Sequence, residues 1–479
     1  MAFLTQAANR GSIPTGPYEI DNSLKFERAN SEQIYTSNAA AGNRKTWTFS
    51  AWIKRTQLSQ DYHCIFSCGY SNIQIMANDR PRLILYNGSS EVYADPEMLL
   101  RDTAAWYHIV VQVDSTQSTA ADRVKWWING DRITDFNNST YTNMSQNEDF
   151  DFGQAGSGSG DWLRLGEFFG GSEGFSGYMA DVYYLNGTAA QASDFGEYDD
   201  DSGIWIPKNY TGGGYGTQGF KYEFKDSSAL GTDTSGEGHD ANNLGNIAAI
   251  DQATDTPTNN FCTINPLVTQ GYAIWSLTEG GTRGANVGAN AAMVGTFAVD
   301  SGKWYWEGVT TAFSGTNYWQ WGVMPIDAKQ GNSADSMGDA GTAWYSGDNA
   351  FYTSTSTSGQ SVAYNIGFSG YTAGDIWSIS LNCDVSPYEM TIRFNNSIPG
   401  SNASVNTDRS VGTYTSARPV FPYIRLADNA SDNTWHNFGN PFISNLSGGN
   451  SDANGYGDFK YAPPSGYYAL CSKNLAEYG

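Results

Sequence analysis

Short runs in which apolar and polar residues alternate recur along the first part of the chain, from residue 23 to residue 186. Residues 47–53 and 124–128 are examples, and Asn129-Gly130 follows the second of them as a tight-turn signal. Alternate residues of a β-strand point to opposite faces of a sheet, so this pattern predicts strands with one face in a core. Many short strands separated by turn signals are typical of a β-sandwich or jelly roll.

A second series of such runs lies between residues 263 and 449. Its predicted strands are residues 302–309, 319–324, 361–366, 376–381 and 390–394. No helical period extends over more than about two turns in either series. The chain is therefore predicted to be all-β, with two jelly-roll sandwiches in tandem at residues 19–197 and 263–449.

Three further segments carry a different pattern. Residues 1–18 are polar and contain glycine and proline, which predicts an extended N-terminal arm that docks on its own chain or a neighbour and serves as an anchor. Residues 198–262 are rich in Gly, Asp, Thr and Asn, which predicts a connector with one or two strands. Residues 450–479 contain Pro463-Pro464 and are predicted to form an extended closing segment.

Composition and charge narrow the range of partners. Of the 479 residues, 54 are glycine and 14% are aromatic, so turns and flat side chains suited to sheets are frequent. The formal net charge of −23 disfavours binding to nucleic-acid phosphates or to an anionic membrane surface. We find no secretory leader and no apolar run of about 18 residues, and we therefore expect no membrane insertion.

The cysteines indicate a reducing compartment. There are five, at positions 64, 68, 262, 383 and 471, an odd and scattered set without the paired spacing of a metal site. We expect them to be buried free thiols in a chain that is made in a cytoplasm.

Four fragments of the first series occur in a characteristic order, at residues 49–53, 106–111, 124–130 and 177–183. They resemble the strands of laminin-G-like domains, which have a concanavalin-A-like fold, and the resemblance covers roughly residues 20–190. Because the family has a core histidine in the second of these strands, the resemblance implies that His108 is structural.

Five fragments of the second series also occur in a characteristic order. They are residues 301–307, 374–382, 390–396, 418–423 and 437–442. They resemble the strands of the SPRY family, which is also a concanavalin-A-like sandwich.

Short pieces outside the sandwiches resemble segments that recur in virion proteins of marine bacterial viruses, such as tail fibres and capsid appendages. They are residues 253–261, 463–467 and 469–471. This resemblance implies a position on the virion surface, synthesis in the host cytoplasm and contacts with other virion proteins. Such appendages are usually symmetric, so a homo-oligomer is expected, with a trimer preferred.

Catalysis by this fold would need paired carboxylates, since glucanases share the sandwich and retaining hydrolysis uses two carboxyl groups about 5–5.5 Å apart. One strand can supply them as Glu-x-Asp-x-Glu, because alternate residues share a face. Residues 19–21 and 197–199 begin this pattern without its second glutamate, and residues 149–151 lack a glutamate at the needed spacing. The sequence therefore predicts no catalytic residues and no enzyme.

Calcium is the one ion that the sequence suggests, and no other cofactor is expected. Laminin-G-like modules often hold Ca²⁺ at one rim, and the loop containing Glu148, Asp149 and Asp151 has the required carboxylates. Residues 199–201 form a second acidic loop. Because Ca²⁺ needs about six to eight converging oxygens, a solvated turn remains the alternative interpretation of both loops.

Aromatic side chains next to polar ones give the candidate ligand site. Sugars present apolar C–H faces beside hydroxyl groups, so a Trp or Tyr platform with nearby Asn, Asp or Gln can bind them. The predicted ligand-binding residues are Tyr318, Trp319, Trp344, Tyr345, Asp348 and Asn349, the last four in a loop between strands. Packing or a subunit contact is the other interpretation of these aromatic residues.

Taken together, these patterns predict a non-enzymatic phage virion structural protein, a tail-fibre or appendage subunit. Its sandwich loops would recognise a glycan or protein on the host surface. One alternative is a capsid decoration protein without a receptor role, and a second is a polysaccharide depolymerase.

Overall fold

The chain divides into two compact units, which are described separately. The computed structural model describes residues 4–5, 18–37, 40–58, 62–156, 158–171, 173–241, 243–267, 270–271, 276–285, 291–312, 320–326, 343–346, 350–356, 359–365, 371–386, 388–398, 409–410, 418–426 and 433–479. The N-terminal unit comprises residues 14–258. The C-terminal unit comprises residues 259–479 together with strand β1 (Leu4–Thr5).

The N-terminal unit contains strands β2 to β18. They are β2 (Ser23–Phe26), β3 (Ile34–Thr36), β4 (Thr46–Arg55), β5 (His63–Cys68), β6 (Ser71–Ile75), β7 (Pro81–Tyr86), β8 (Glu91–Pro96), β9 (Trp106–Asp114), β10 (Val124–Ile128), β11 (Asp131–Ile133), β12 (Phe136–Asn138), β13 (Leu163–Leu165), β14 (Gly177–Asn186), β15 (Gly196–Tyr198), β16 (Trp205–Pro207), β17 (Phe220–Tyr222) and β18 (Gln252–Ala253). Short 3-10 helices lie at Arg28–Asn30, Ala120–Asp122, Thr140–Asn143, Ser159–Asp161, Ala192–Asp194 and Ala249–Asp251.

Two large antiparallel sheets form most of this unit, and β15 and β16 pair in a separate two-stranded sheet. Sheet A has the strand order β11-β10-β9-β4-β14-β2-β18, with β17 also paired to β14, and sheet B has the order β12-β8-β7-β6-β5-β13-β3. The core lies between them, where Phe49 of sheet A stacks on Phe66 of sheet B with ring centroids 4.7 Å apart. Alternation places the side chains as expected: Leu83 and Leu85 of β7 are fully buried in this core, and Ile84 between them is partly exposed.

The connector was predicted at residues 198–262, and its residues 198–258 contribute strands to the N-terminal unit. Strand β17 pairs with β14, and β18 pairs with β2. The first compact unit therefore extends to residue 258.

The C-terminal unit contains strands β19 to β34 and helix α1. They are β19 (Gln270–Gly271), β20 (Ser276–Thr278), β21 (Arg283–Ala285), β22 (Ala291–Val294), β23 (Phe297–Ala298), β24 (Lys303–Ala312), β25 (Gln320–Pro325), β26 (Ala343–Ser346), β27 (Ala350–Ser356), β28 (Gly359–Asn365), β29 (Ile376–Asn382), β30 (Glu389–Phe394), β31 (Arg409–Ser410), β32 (Val420–Leu426), β33 (Asn433–Asn437), β34 (Tyr468–Ala469) and α1 (Ser472–Tyr478). A 3-10 helix lies at Ser444–Leu446.

Two further large sheets form most of the C-terminal unit. Sheet C has the strand order β19-β22-β32-β25-β26-β27-β28. Sheet D has the order β20-β21-β33-β24-β29-β30-β31, and β34 pairs in parallel with β24. Strand β1, from the predicted arm, pairs in parallel with β23. Trp304 and Trp306 of β24 are fully buried and pack in one core with Trp321 of β25.

The start and the end of the C-terminal unit pair with each other. The Cys262 backbone N–H donates to the carbonyl oxygen of Leu470 at 2.9 Å, and the Ser472 N–H donates to that of Asn260 at 2.7 Å. Phe261 packs in a buried cluster with Phe459. The chain around residue 261 therefore meets the chain around residue 471, two places that the virion-protein resemblance had singled out.

The all-β prediction is confirmed, since the described residues form strands β1 to β34 and one short α-helix. The predicted closing segment differs in one respect, because it ends in helix α1. All five cysteines are buried thiols without disulfides, as expected. Among the described residues, no helix is long and apolar enough to cross a membrane.

Candidate functional site

A second apolar cluster lies on the outer face of sheet A, the face turned away from the main core. Adjacent residues of β10 point to opposite faces, so Trp126 is buried in the main core and Trp127 belongs to the outer cluster. Val110 and Tyr183 of the sheet join Trp127, and Phe195 from the segment after β14 packs on them. The segment that follows β14 therefore covers the outer face of sheet A.

The hairpin formed by β15 and β16 presents Trp205 at the edge of this cover. Tyr198 is the cross-strand partner of Trp205, and their ring centroids lie 4.9 Å apart with an interplanar angle of 70°. Gly130 and Gly196 both lie against the Trp205 ring, where an added Cβ would come within 2.4 Å and 2.5 Å of ring atoms. The indole thus packs directly against the backbone at these two glycines, and any larger residue at either position would displace the ring. Gly130 also has a φ of +83°, a conformation that favours glycine.

A buried histidine fixes the orientation of Trp205. The Trp205 Nε1–H donates to His108 Nδ1 at 3.0 Å, and His108 Nε2 lies 2.9 Å from Ser50 Oγ. Because an indole nitrogen can only donate, His108 Nδ1 is the acceptor and its Nε2–H donates to Ser50. Burial lowers the pKa of His108 to about 3, so this arrangement persists at neutral pH. His108 is structural, as the resemblance implied.

Around Trp205 lies an open groove, named here the aromatic groove, with a volume of about 400 Å³. Its aromatic lining is Trp127, Tyr198 and Trp205, and its polar lining is Gln191, Ser193, Glu197 and Lys208. This volume lies in the range of small-ligand sites, about 300–1,000 Å³.

The aromatic groove combines one exposed ring, that of Tyr198, and the partly buried ring of Trp205 with charged and polar groups at its edge. Tyr198 is 49% exposed, and its hydroxyl donates to Asp131 Oδ1 at 2.8 Å, which raises the pKa of the Tyr198 phenol. Lys208 Nζ lies 3.6 Å from Glu197 Oε2, and both side chains are almost half exposed. The aromatic rings can stack on the C–H face of a sugar, while the hydroxyl groups of the sugar form hydrogen bonds with Lys208 and Glu197.

The structure describes the backbone of two of the six residues predicted to bind ligand. Trp344 and Tyr345 lie in strand β26 and not in a loop, because residues 343–346 pair with β25 on one side and β27 on the other. Tyr318, Trp319, Asp348 and Asn349 lie outside the described residues. Ligand binding by these six residues stays a prediction.

The three calcium candidates do not come together as one described cluster. Glu148 accepts a hydrogen bond from the Ser145 N–H at 2.6 Å, and Asp149 lies 3.9 Å from Lys45 Nζ. Asp151 is buried and accepts from the backbone N–H of Tyr70 at 2.8 Å. Each carboxylate thus has its own partner, and among the described residues these three are not a group whose ligand atoms lie close to one another. Calcium binding stays a prediction.

Sequence reasoning missed the residues of the aromatic groove. The Trp126-Trp127 pair was a usable signal, because in a strand with one buried face the second tryptophan must lie on the outer face. Tyr198 and Trp205 flank an acidic turn that was assigned to the connector, so their pairing in a hairpin was not predicted.

The comparisons with known proteins agree with this architecture. Residues 28–193 match the model of the concanavalin A-like lectin/glucanases superfamily. The N-terminal unit therefore has the concanavalin-A-like sandwich fold that the laminin-G resemblance implied. The match ends just before the hairpin that carries Tyr198 and Trp205. No curated protein matches the chain.

Several solved structures are similar at low identity. A putative carbohydrate binding protein from Bacteroides ovatus is 16% identical with a TM-score of 0.34, over 47% of this chain and 59% of that one, less than two thirds of its length. The SPRY domain of human HERC1 is 14% identical with a TM-score of 0.25, over 36% of this chain and 96% of that one. The enzymatically active domain of tailspike protein 2 from bacteriophage CBA120 is 17% identical with a TM-score of 0.25, over 36% of this chain and 26% of that one.

Proposed function

We propose that this chain is a non-enzymatic glycan-binding protein and that the aromatic groove is its binding site. The observation that carries the proposal is the preorganised Trp205, which is oriented by His108 and held between two glycines beside the exposed Tyr198. A platform that is already in place loses little conformational freedom when a sugar stacks on it. The lectin-like fold of the N-terminal unit agrees with this role.

Binding without hydrolysis is favoured by the charged groups of the groove. Among the described residues that line it, Glu197 is the one carboxylate, and it lies beside Lys208. The Asp131 carboxylate lies outside this lining and accepts a hydrogen bond from the Tyr198 hydroxyl. Retaining hydrolysis needs two carboxyl groups, one of them protonated, on either side of the scissile bond. A single carboxylate near a lysine is suited to bonding hydroxyl groups and not to acid–base catalysis.

Replacing Tyr198 or Trp205 by alanine is expected to weaken glycan binding about tenfold or more, or ~1.4 kcal/mol, because each change removes a stacking surface. The measurement is binding of the purified full chain to an array of bacterial surface glycans, followed by titration calorimetry on the best ligand. Tyr70→Ala is the matched control, since Tyr70 is an exposed aromatic residue of the same unit outside the groove. Equal binding by all four proteins would contradict the proposal, and release of reducing sugar by the wild type would favour a depolymerase.

We also propose that the protein is a virion appendage, with a homo-oligomer, preferably a trimer, presenting several grooves at once. The support is the resemblance of residues 253–261, 463–467 and 469–471 to segments of such proteins, and the gain in avidity from several weak sites. We expect a few oligomers at the tail in quantitative mass spectrometry of purified virions. Tens to hundreds of copies over the shell would instead identify a decoration protein, and absence from virions would contradict both assignments.

A further inference from the structure

Two residues at opposite ends of the N-terminal unit are brought into contact by strand pairing. In the antiparallel ladder Gln252 of β18 lies opposite Leu24 of β2, so Asp251 and Lys25 are at the next pair of positions. Lys25 Nζ lies 2.8 Å from Asp251 Oδ1, and their side chains are 1% and 5% exposed. Because the carboxyl carbon is bonded to that oxygen, the lysine nitrogen lies within about 4 Å of it, close to the separation of reacting atoms in near-attack geometry.

A third side chain, that of Glu32, lies against the same lysine. Glu32 Oε1 lies 3.1 Å from Lys25 Nζ and also accepts a hydrogen bond from Asn30 Nδ2 at 2.9 Å. Its other oxygen, Oε2, is buried and has no hydrogen-bond partner in the described part of the chain. Burial raises the pKa of Glu32 to about 7, so a substantial fraction of this carboxyl is a neutral acid near pH 7.

We propose that Lys25 and Asp251 condense to an intramolecular isopeptide bond, with Glu32 as the group that carries the proton. The geometry supplies what this reaction needs: an amine against a carboxyl carbon, and a second carboxyl within hydrogen-bond distance of the amine. This modification is independent of glycan binding by the aromatic groove.

The reaction balances without any further reactant. A proton passes from the Lys25 ammonium to the Asp251 carboxylate, which leaves a neutral amine as the nucleophile and a neutral acid as its target. The amine lone pair attacks Asp251 Cγ and forms the N–C bond. Glu32 takes a proton from Nζ and gives one to the departing hydroxyl group, so the C–O bond breaks and one water leaves. Glu32 ends in its starting protonation state, as expected of a general acid–base group.

The burial of the cluster drives the condensation. Amide formation is disfavoured in bulk water, but two groups held in contact react as if at effective molarities of about 10⁵–10⁸ M. The side chains of Lys25, Glu32 and Asp251 are at most about one-twentieth exposed. Bulk water is therefore excluded from the new amide bond and does not hydrolyse it. The product ties the first strand of sheet A to its last.

A second buried pair in the same unit provides an internal comparison. Lys54 Nζ lies 2.7 Å from Asp255 Oδ2, and both side chains are as buried as those of the first pair. Asp255 also accepts a hydrogen bond from the Trp106 indole, which donates to Oδ1 at 3.0 Å and is not an acid–base group. Where the first pair has the Glu32 carboxyl against its lysine, this pair has an indole against its aspartate, and we expect it not to condense.

Intact mass spectrometry of the purified full chain, with the circular dichroism signal as a check of folding, tests the proposal. The wild-type mass is expected to be lower than the sequence mass by one water. A tryptic digest is expected to contain a branched peptide that joins residues 25 and 251. Lys25→Arg and Glu32→Gln are each expected to restore the sequence mass, whereas Lys54→Arg is expected to keep the loss.

The result that overturns the proposal is a folded wild-type chain at its full sequence mass after prolonged incubation. Persistence of the loss in Lys25→Arg would also overturn it, because the bond would then involve other residues. Persistence in Glu32→Gln would overturn the role of Glu32. Because the wild type is measured as purified, failure of a variant to fold does not affect the main outcome.

Discussion

Replacing Asp255 by alanine is expected to lower the free energy of unfolding of the N-terminal unit by about 3–5 kcal/mol. Asp255 is buried, and its carboxylate bonds to Lys54 Nζ at 2.7 Å and to the Trp106 Nε1–H at 3.0 Å. Without the carboxylate, the ammonium of Lys54 stays in a dry site and loses this partner. Leaving a buried charge uncompensated costs far more than the ion pair contributes, because the desolvation penalty is no longer offset.

Hydrogen exchange of the full chain, followed by mass spectrometry, measures this effect separately for each unit. Peptides from β4 and β9 are expected to exchange faster in Asp255→Ala, and peptides from β29 in the C-terminal unit serve as the internal reference. The double variant Lys54→Met/Asp255→Leu is the matched control, since it removes both charges at once and is expected to recover most of the loss. Equal destabilisation by the single and the double variant would contradict this account of the pair.

The C-terminal unit is expected to lose about 3 kcal/mol of stability between pH 4.5 and pH 7 through Glu307 alone. Glu307 is fully buried and accepts hydrogen bonds from the Tyr305 hydroxyl at 2.6 Å, the Lys460 N–H at 2.8 Å and the Tyr461 N–H at 2.9 Å. These bonds favour the carboxylate, but burial outweighs them, with a smaller contribution from the charge of Asp458, and raises the pKa of Glu307 to about 7.

Proton binding by Glu307 in the folded and unfolded states determines the direction of this pH dependence. Between its unfolded value of 4.5 and its folded value of about 7, Glu307 holds a proton in the folded state and has lost it in the unfolded state. Glu307 therefore contributes fully to the free energy of unfolding below pH 4.5, and this contribution is lost as the pH rises through 7.

Urea unfolding at a series of pH values, with Glu307→Gln as the comparison, isolates this contribution. The difference between wild type and variant is expected to change by about 3 kcal/mol over this range, because glutamine does not titrate. Peptides of the N-terminal unit provide the reference in a parallel hydrogen-exchange series. A difference that is constant with pH would show that Glu307 titrates alike in both states.

The strands could be predicted from the sequence better than the position of the ligand site. The strand that carries Trp304 and Trp306 was predicted at residues 302–309 and is β24 (Lys303–Ala312). It could be predicted because the alternation of apolar and polar residues in a strand is visible in the local sequence. The ligand site was assigned to Trp344 and Tyr345 because they looked like a loop between strands. Their place in β26 depends on pairing with β25 and β27, which the local pattern does not specify.

The sequence by itself determined that this chain is all-β, that its cysteines are buried thiols and that Asn129-Gly130 turns the chain after β10, since each follows from local patterning or composition. Only the tertiary structure decided that Trp127, Tyr198 and Trp205 share one groove, and that Lys25 meets Asp251. These contacts join strands that are far apart in the sequence. The register and packing of the sheets select such partners, and hydrophobic periodicity carries no information about which strand will be the neighbour.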